Sequence, residues 1–242
     1  PVHTPGTYLL AFRNPEDVAM ESLRSLRTTL HFGMMDAPNK IITITGPSPG
    51  IGKSFVVSNF AAILAQVGNK VLLIDGDMRK GYLHRAFGIK HRRNGLSEIL
   101  SNQITDWKSA VQQTEIEGLH LISTGQLPPN ASELLMSPRF TDFTAEASEL
   151  YDYILIDTPP VLAVTDAAVI GATSGTTLMV LKEGVHTLEE IRLASKRLEN
   201  SGIRLKGVVF NNIINRGVVD RYKRYSYHYS YKTPSKKNEV KE

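Results

Sequence analysis

The stretch Ile41-Ile42-Thr43-Ile44-Thr45-Gly46-Pro47-Ser48-Pro49-Gly50-Ile51-Gly52-Lys53-Ser54 decides the fold of this 242-residue chain. Its β-branched opening predicts a buried strand, its Gly and Pro residues a tight loop, and the stretch from Gly52 a helix reaching about Gln66. Strand, glycine-rich loop and helix in that order wrap backbone N–H groups around a polyphosphate and aim a helix N-terminus at it. The lysine then lies on the terminal phosphates and the hydroxyl faces Mg²⁺. Gly50, Ile51, Gly52, Lys53, Ser54 and Phe55 are therefore the candidate nucleotide-binding residues. The strict pattern has a glycine six residues before the lysine; Pro47 stands there, with Gly46 one step earlier. A chance Gly-Lys-Ser at a helix start is the alternative.

Working outward, short apolar runs recur at Val71 to Ile74, Leu119 to Ile122, Ile154 to Ile156, Thr176 to Leu181 and Gly207 to Phe210. Between them lie helical stretches at Ala131 to about Leu150 and Leu188 to about Asn200, with turn signals such as Gly68 and Gly202. Another helix is expected from Asn14-Pro15, as cap and first residue, to about Gly33. Alternation of this kind predicts an α/β domain with a doubly wound, mostly parallel sheet covered by helices on both faces. From Arg216 the apolar period is lost. The expected division is a domain over 1–214 and a flexible basic, tyrosine-rich tail over 215–242.

Two strands end in carboxylates, where ligands gather in such sheets. Val71-Leu72-Leu73-Ile74-Asp75-Gly76-Asp77 supplies two, and Tyr153-Ile154-Leu155-Ile156-Asp157-Thr158-Pro159-Pro160 a third. A lone Asp after a strand is equally a turn former or helix cap. Together with the phosphate loop these residues point to a magnesium-nucleotide site, because a hard cation takes carboxylate and phosphate oxygens.

Composition narrows the rest. The chain is 41% hydrophobic and 21% charged, which excludes disorder throughout. With no cysteine it has neither disulfides nor a thiolate metal site or nucleophile, in keeping with a reducing compartment. No segment reads as a membrane span or a secretory leader, and because the sequence opens on Pro1 and not on methionine there is room for a membrane segment upstream. The net charge of +4 is not spread evenly: residues 216–242 carry eight Lys/Arg against three Asp/Glu, leaving 1–215 at −1. A neutral body argues against nucleic acid as a partner.

Five of the nine tyrosines, Tyr222, Tyr225, Tyr227, Tyr229 and Tyr231, fall within ten residues of the tail. As a strand they would face Ser226, His228 and Ser230 with nothing to bury. Taken alone, such a segment could stack on single-stranded RNA; beside a nucleotide site the tyrosines read as phosphoacceptors on a tether. Glu21, Arg24 and Arg27 recur every third residue and share one helix face, either as a solvated ion pair or as an interface. The seven histidines show no metal-ligand spacing.

The loop, Asp75-x-Asp77 and Asp157-Thr158-Pro159-Pro160 resemble the Walker A, A′ and B motifs of the bacterial tyrosine kinases, P-loop proteins of ParA/MinD-like fold. The chain is most similar to the cytoplasmic kinase domain of Wzc-type proteobacterial polysaccharide co-polymerases. Asp77-Met78-Arg79-Lys80-Gly81-Tyr82, Gly95-Leu96-Ser97-Glu98-Ile99-Leu100, Ser132-Glu133-Leu134-Leu135-Met136-Ser137 and the run from Thr158 to Ala168 carry the resemblance over nearly the whole chain. It implies an ATP- and Mg²⁺-dependent protein-tyrosine autokinase that regulates capsule or exopolysaccharide export from the bacterial inner membrane. Lys53 would hold the β- and γ-phosphates, Ser54, Asp77 and Asp157 the magnesium, and Asp75 would accept the tyrosine proton. Asn211 resembles an adenine-reading asparagine, or is simply a strand-end turn residue. The tail tyrosines and Tyr82 would be phosphoacceptors; the arginine that engages the latter's phosphate in relatives is Thr124 here. Glu21, Arg24 and Arg27 match a motif that joins subunits into a ring. A protein-tyrosine phosphatase and the polysaccharide export machinery are the implied partners. The competing readings are a ParA/MinD-like ATPase with a nucleotide-controlled dimer cycle and a nucleotide-binding scaffold without transfer activity.

Overall fold

The computed structural model describes residues 8–92 and 94–213. The expected division at 214/215 and the tail tyrosines lie outside these residues. The described residues through Asn212 form one compact unit.

Among the described residues seven strands form one sheet: β1 (Ile41–Thr45), β2 (Val71–Asp75), β3 (Gln112–Gln113), β4 (Leu119–Ile122), β5 (Tyr153–Asp157), β6 (Thr176–Lys182) and β7 (Leu205–Asn211). Their order is β3-β4-β2-β5-β1-β6-β7, and only β3 runs antiparallel to its neighbour. The chain thus winds outward from β1 to β2 and β4, then returns to β5 and continues past β1 to β6 and β7. The crevice where that direction reverses opens at the C-terminal ends of β1, β2 and β5, the place such sheets offer a ligand.

The helices are α1 (Leu10–Arg13), α2 (Val18–Gly33), α3 (Lys53–Ala65), α4 (Leu83–Ala86), α5 (Leu96–Leu100), α6 (Ala131–Leu135), α7 (Pro138–Leu150), α8 (Asp166–Ala172) and α9 (Leu188–Asn200), with a short 3₁₀ turn at Trp107–Ala110. Every residue of α3 from Val56 to Ala65 is buried, because α1 and α2 cover the face that the sheet leaves open. Asn59 on α3 accepts the N–H of Ala11 at 2.8 Å, and Met20, Leu23 and Leu30 of α2 complete this half of the core. The opposite face packs Leu96, Ile99, Phe140 and Phe143 onto Leu72, Ile74, Ile154 and Ile156. Beside it, α8 and α9 bury Ala167, Ala194 and Leu198 against Met179 and Leu181 of β6.

Two expected helices differ in detail. The long N-terminal helix starts at Val18 and not at Pro15, since Asp17 accepts the Ala19 N–H at 2.8 Å and is the cap, while Asn14 and Pro15 form the turn after α1. The stretch from Ala131 to Leu150 is two helices. Pro138 has no N–H for the Leu134 carbonyl, so α6 stops there; the Ser137 hydroxyl donates to that carbonyl at 2.6 Å and Pro138 opens α7.

Candidate nucleotide and magnesium site

The loop after β1 has the geometry that its glycines imply. Gly50 and Gly52 adopt φ of +74° and +92°, a region that side chains disfavour and that anion-binding backbone turns use. Gly46 supplies the close approach that the strict pattern assigns one residue later: a Cβ there would collide with the Ile51 side chain and lie 2.7 Å from the Val180 carbonyl. Pro47 follows it without needing that freedom. Phe55, on the first turn of α3, is exposed.

Lys53 opens α3 and is buried. Desolvation lowers its pKa, and the carboxylates of Asp157 and Asp77 oppose that effect. The Ser54 hydroxyl donates to Asp157 Oδ2 at 2.5 Å. Strand register sets Asp75 directly beside Asp157 at the ends of β2 and β5. Asp75 Oδ2 accepts the Leu83 N–H at 3.0 Å. Burial, with the neighbouring Asp157, raises Asp75 to about 8, and burial raises Asp157 to about 6 against the Ser54 hydrogen bond and the Lys53 charge.

Oδ1 of Asp75 and Oδ1 of Asp157 are buried without a hydrogen-bond partner. The orphaned Asp157 oxygen beside the Ser54 hydroxyl offers oxygen donors to a hard cation, so Ser54 and Asp157 fit Mg²⁺, while the orphaned Asp75 oxygen is available to a proton. Among the described residues no three or more His, Cys, Asp or Glu are grouped to hold a metal unaided. A nucleotide-borne magnesium needs no such group, since phosphate and water supply most of its ligands. Asp77 stands further out, its Oδ1 accepting the N–H groups of Arg79 and Lys80 at 3.2 and 3.0 Å.

Asn211 ends β7 and donates its amide N–H to the Ile51 carbonyl at 2.9 Å, which brings it onto the loop. Tyr82 is exposed with the Arg85 guanidinium 4.8 Å above its ring. Thr124 is buried, its hydroxyl donating to the Asp75 carbonyl at 3.3 Å. Glu21 and Arg24 form an exposed pair at 3.0 Å on α2, and Arg24 also donates to the Pro15 carbonyl; Arg27 is half-buried one turn on. Within one copy an ion pair thus joins Glu21 and Arg24, which does not bear on an interface between copies.

Sequence reasoning missed one network. Arg79 grips Asp166 through Nε and Nη2 at 2.9 and 3.0 Å, and Ser132 donates to the same carboxylate at 2.6 Å. Three segments that carry the family resemblance meet at this buried acid. Their shared motif character was the signal available, but nothing local links residues 87 and 34 positions apart.

Residues 39–200 match the family model described as AAA domain. The tyrosine-protein kinase wzc of Salmonella typhimurium is 50% identical over 229 residues, covering 94% of this chain and 31% of that relative. The chain thus spans about a third of the length of that curated relative. Among solved structures, the BceF tyrosine kinase domain is 50% identical with a TM-score of 0.80, over 87% of this chain and 84% of that one. The kinase domain of Escherichia coli tyrosine kinase ETK is 42% identical with a TM-score of 0.85, over 96% and 87%.

Proposed function

Because this chain belongs to the family of bacterial tyrosine kinase domains, we propose that it transfers the γ-phosphoryl group of ATP to tyrosine hydroxyls of the 222–231 segment of a neighbouring copy. The observation that carries this reading is the convergence of Lys53, Ser54, Asp75 and Asp157 at the C-terminal ends of the central strands, with two buried carboxylate oxygens unpartnered. In that reaction the phenolic oxygen attacks the γ-phosphorus, the bond to the bridging oxygen of ADP breaks, and the phenolic proton passes to Asp75. In its ionised form a carboxylate whose pKa burial raises to about 8 is a stronger base than an exposed one, so transfer should quicken as pH rises towards 8. Lys53 offsets charge on the phosphates, and the loop amides orient them. Ser54, Asp77 and Asp157 would hold magnesium, which when bound neutralises phosphate charge.

Further parts of the reading rest on resemblance. Glu21, Arg24 and Arg27 would join copies into a ring, Asn211 would contact adenine, and Tyr82 would be a further phosphoacceptor. A protein-tyrosine phosphatase would reset the tail. The domain would act at the cytoplasmic face of an inner membrane, anchored by a segment outside this sequence, and govern polysaccharide export. No helix among the described residues is long and apolar enough to cross a membrane itself.

The deciding experiment incubates the purified chain with Mg-ATP, maps phosphate by mass spectrometry, and repeats this with Lys53→Met. Phosphotyrosine at Tyr222 to Tyr231 that disappears in the variant supports the autokinase. Vigorous ATP hydrolysis with unmodified tyrosines overturns it in favour of a ParA/MinD-like ATPase.

A further inference from the structure

Immediately beyond Asp77 the chain collects cations. Lys80, Arg85, Lys90 and Arg92 line a cavity of about 650 Å³, with Tyr82 and Leu127 among its other walls, and no Asp or Glu is among its lining residues. Arg92 folds over the loop by donating to the Lys80 carbonyl at 3.2 Å. Buried His84 in the same wall is held below the ordinary histidine range, first by burial and then by the charges of Arg85 and Arg92. The positive charge of the cavity is thus carried by its lysines and arginines, with His84 neutral in the wall between them. Its apolar surface is also of one kind: an exposed phenol ring under a guanidinium, and an exposed leucine.

A ligand that satisfies both halves carries a dianion on an aromatic ring. Arginine forks and lysine ammonium groups suit the phosphate, while the Tyr82–Arg85 stack and Leu127 suit the ring. The transfer site produces that chemistry next door, since Asp77 is tied to Arg79 and Lys80 in one tight turn. We propose that this cavity is a phosphotyrosine-binding site that takes modified tyrosines of a neighbouring copy's 222–231 segment as they leave the transfer site. This deepens the autokinase reading and rests on it for the source of the ligand.

The charge arithmetic makes the cavity a reader of product over substrate. Residues 216–242 carry +5 when unmodified and are repelled by it. Five phosphates at roughly −2 each would bring the same segment to about −5. A held phosphotyrosine also keeps the remaining tyrosines at high local concentration, which favours repeated transfer to one tail.

The test is fluorescence anisotropy with a labelled synthetic peptide of residues 218–232, unmodified or phosphorylated on Tyr225, Tyr227 and Tyr229, titrated with phosphatase-treated chain. The expected result is binding of the phosphopeptide that weakens with salt, at least tenfold weaker binding of the unmodified peptide, and a similar loss in the doubly substituted Arg85→Gln, Lys90→Gln chain. Both side chains are exposed, and an unchanged melting temperature verifies the fold. Equal binding of the two peptides, or phosphopeptide binding indifferent to the substitutions, overturns the proposal. Tyr82 is the other source of a phosphotyrosine. ATP-treated chain should compete with the probe through its own modified tail, and competition that persists in Tyr82→Phe supports the proposal. Competition abolished by Tyr82→Phe assigns the cavity to Tyr82's own phosphate and overturns it. Because the peptide is synthetic, its binding is read whether or not the chain is a kinase, and phosphate mapping reads the kinase separately.

Discussion

Asn211, the last residue of the edge strand β7, donates its carboxamide N–H to the Ile51 carbonyl at 2.9 Å across 160 residues of sequence. The same nitrogen occupies the space that a Cβ on Gly52 would need. The far edge of the sheet is thereby fastened to the phosphate loop. Asn211→Asp removes the donor and sets a carboxylate beside a phosphate site, so it should raise the KM for ATP about tenfold, equivalent to about 1.4 kcal/mol. Asn211→Ala should raise it only a few-fold, and both should leave the melting temperature within about 4 °C. Equal KM values for the wild type and both variants would separate Asn211 from nucleotide binding.

The buried pair at the ends of β2 and β5 makes stability depend on pH in an unusual direction. Asp75 has a folded pKa of about 8 against an ordinary carboxylate value of 3.8. Below the lower value both states carry the proton. Above it the unfolded chain releases the proton while the folded chain retains it, so stability falls with rising pH until the folded group also ionises near 8. Asp75→Asn keeps an acceptor for the Leu83 N–H and removes this penalty. Without nucleotide it should raise the melting temperature at pH 8 by roughly 4–8 °C, corresponding to about 2 kcal/mol, and by much less at pH 4.5. Thermal scans at the two pH values check this, and autophosphorylation of the same variant should be lost.

Much of this site was legible because its chemistry is local. Ile41 to Ser54 holds strand, loop, lysine and hydroxyl in one continuous run, and Asp75 and Asp157 each end their own apolar strand. What could not be read is whatever depends on distant pairing. Asp17 and Asn14 are both good caps, and only the seat of α1 against Asn59 and Gln66 decides between them. Short helices such as α4, α5 and α8 carry too few residues to show a period. The two-residue strand β3 is defined by its partner β4 and has no apolar signature of its own. Arg79, Ser132 and Asp166 each look like surface polar residues until the fold closes around them.

That last cluster should be a stability element. Asp166 is fully buried and Arg79 is less than half exposed in its side chain, so Asp166→Ala strands Ser132 and frees a guanidinium. A cost of about 2–4 kcal/mol follows, or a drop in melting temperature of roughly 6–12 °C. Because the two residues share one interaction, Arg79→Ala in the Asp166→Ala background should add little. A double-mutant cycle should return a coupling of about 1–3 kcal/mol. Strict additivity would show that the two act apart.

The bond from Ser54 to Asp157 separates a structural role from a metal role. In this structure the hydroxyl points its proton at Asp157 Oδ2, which lowers the pKa of an acid that burial has raised to about 6. Ser54→Ala removes that proton, so Asp157 should be more fully protonated near neutral pH. Asp157 would then be a poorer ligand for a cation just as the second oxygen ligand disappears. Stability without nucleotide should change by less than about 1.5 kcal/mol, the net worth of one hydrogen bond. The magnesium concentration for half-maximal binding of a fluorescent ATP analogue should rise at least tenfold, whereas ATP binding without metal should change little. Ser54→Thr preserves the hydroxyl and should restore most of the magnesium dependence. If Ser54→Ala titrates with magnesium like the wild type, Ser54 serves only to orient Asp157, and the metal assignment passes to the two aspartates alone.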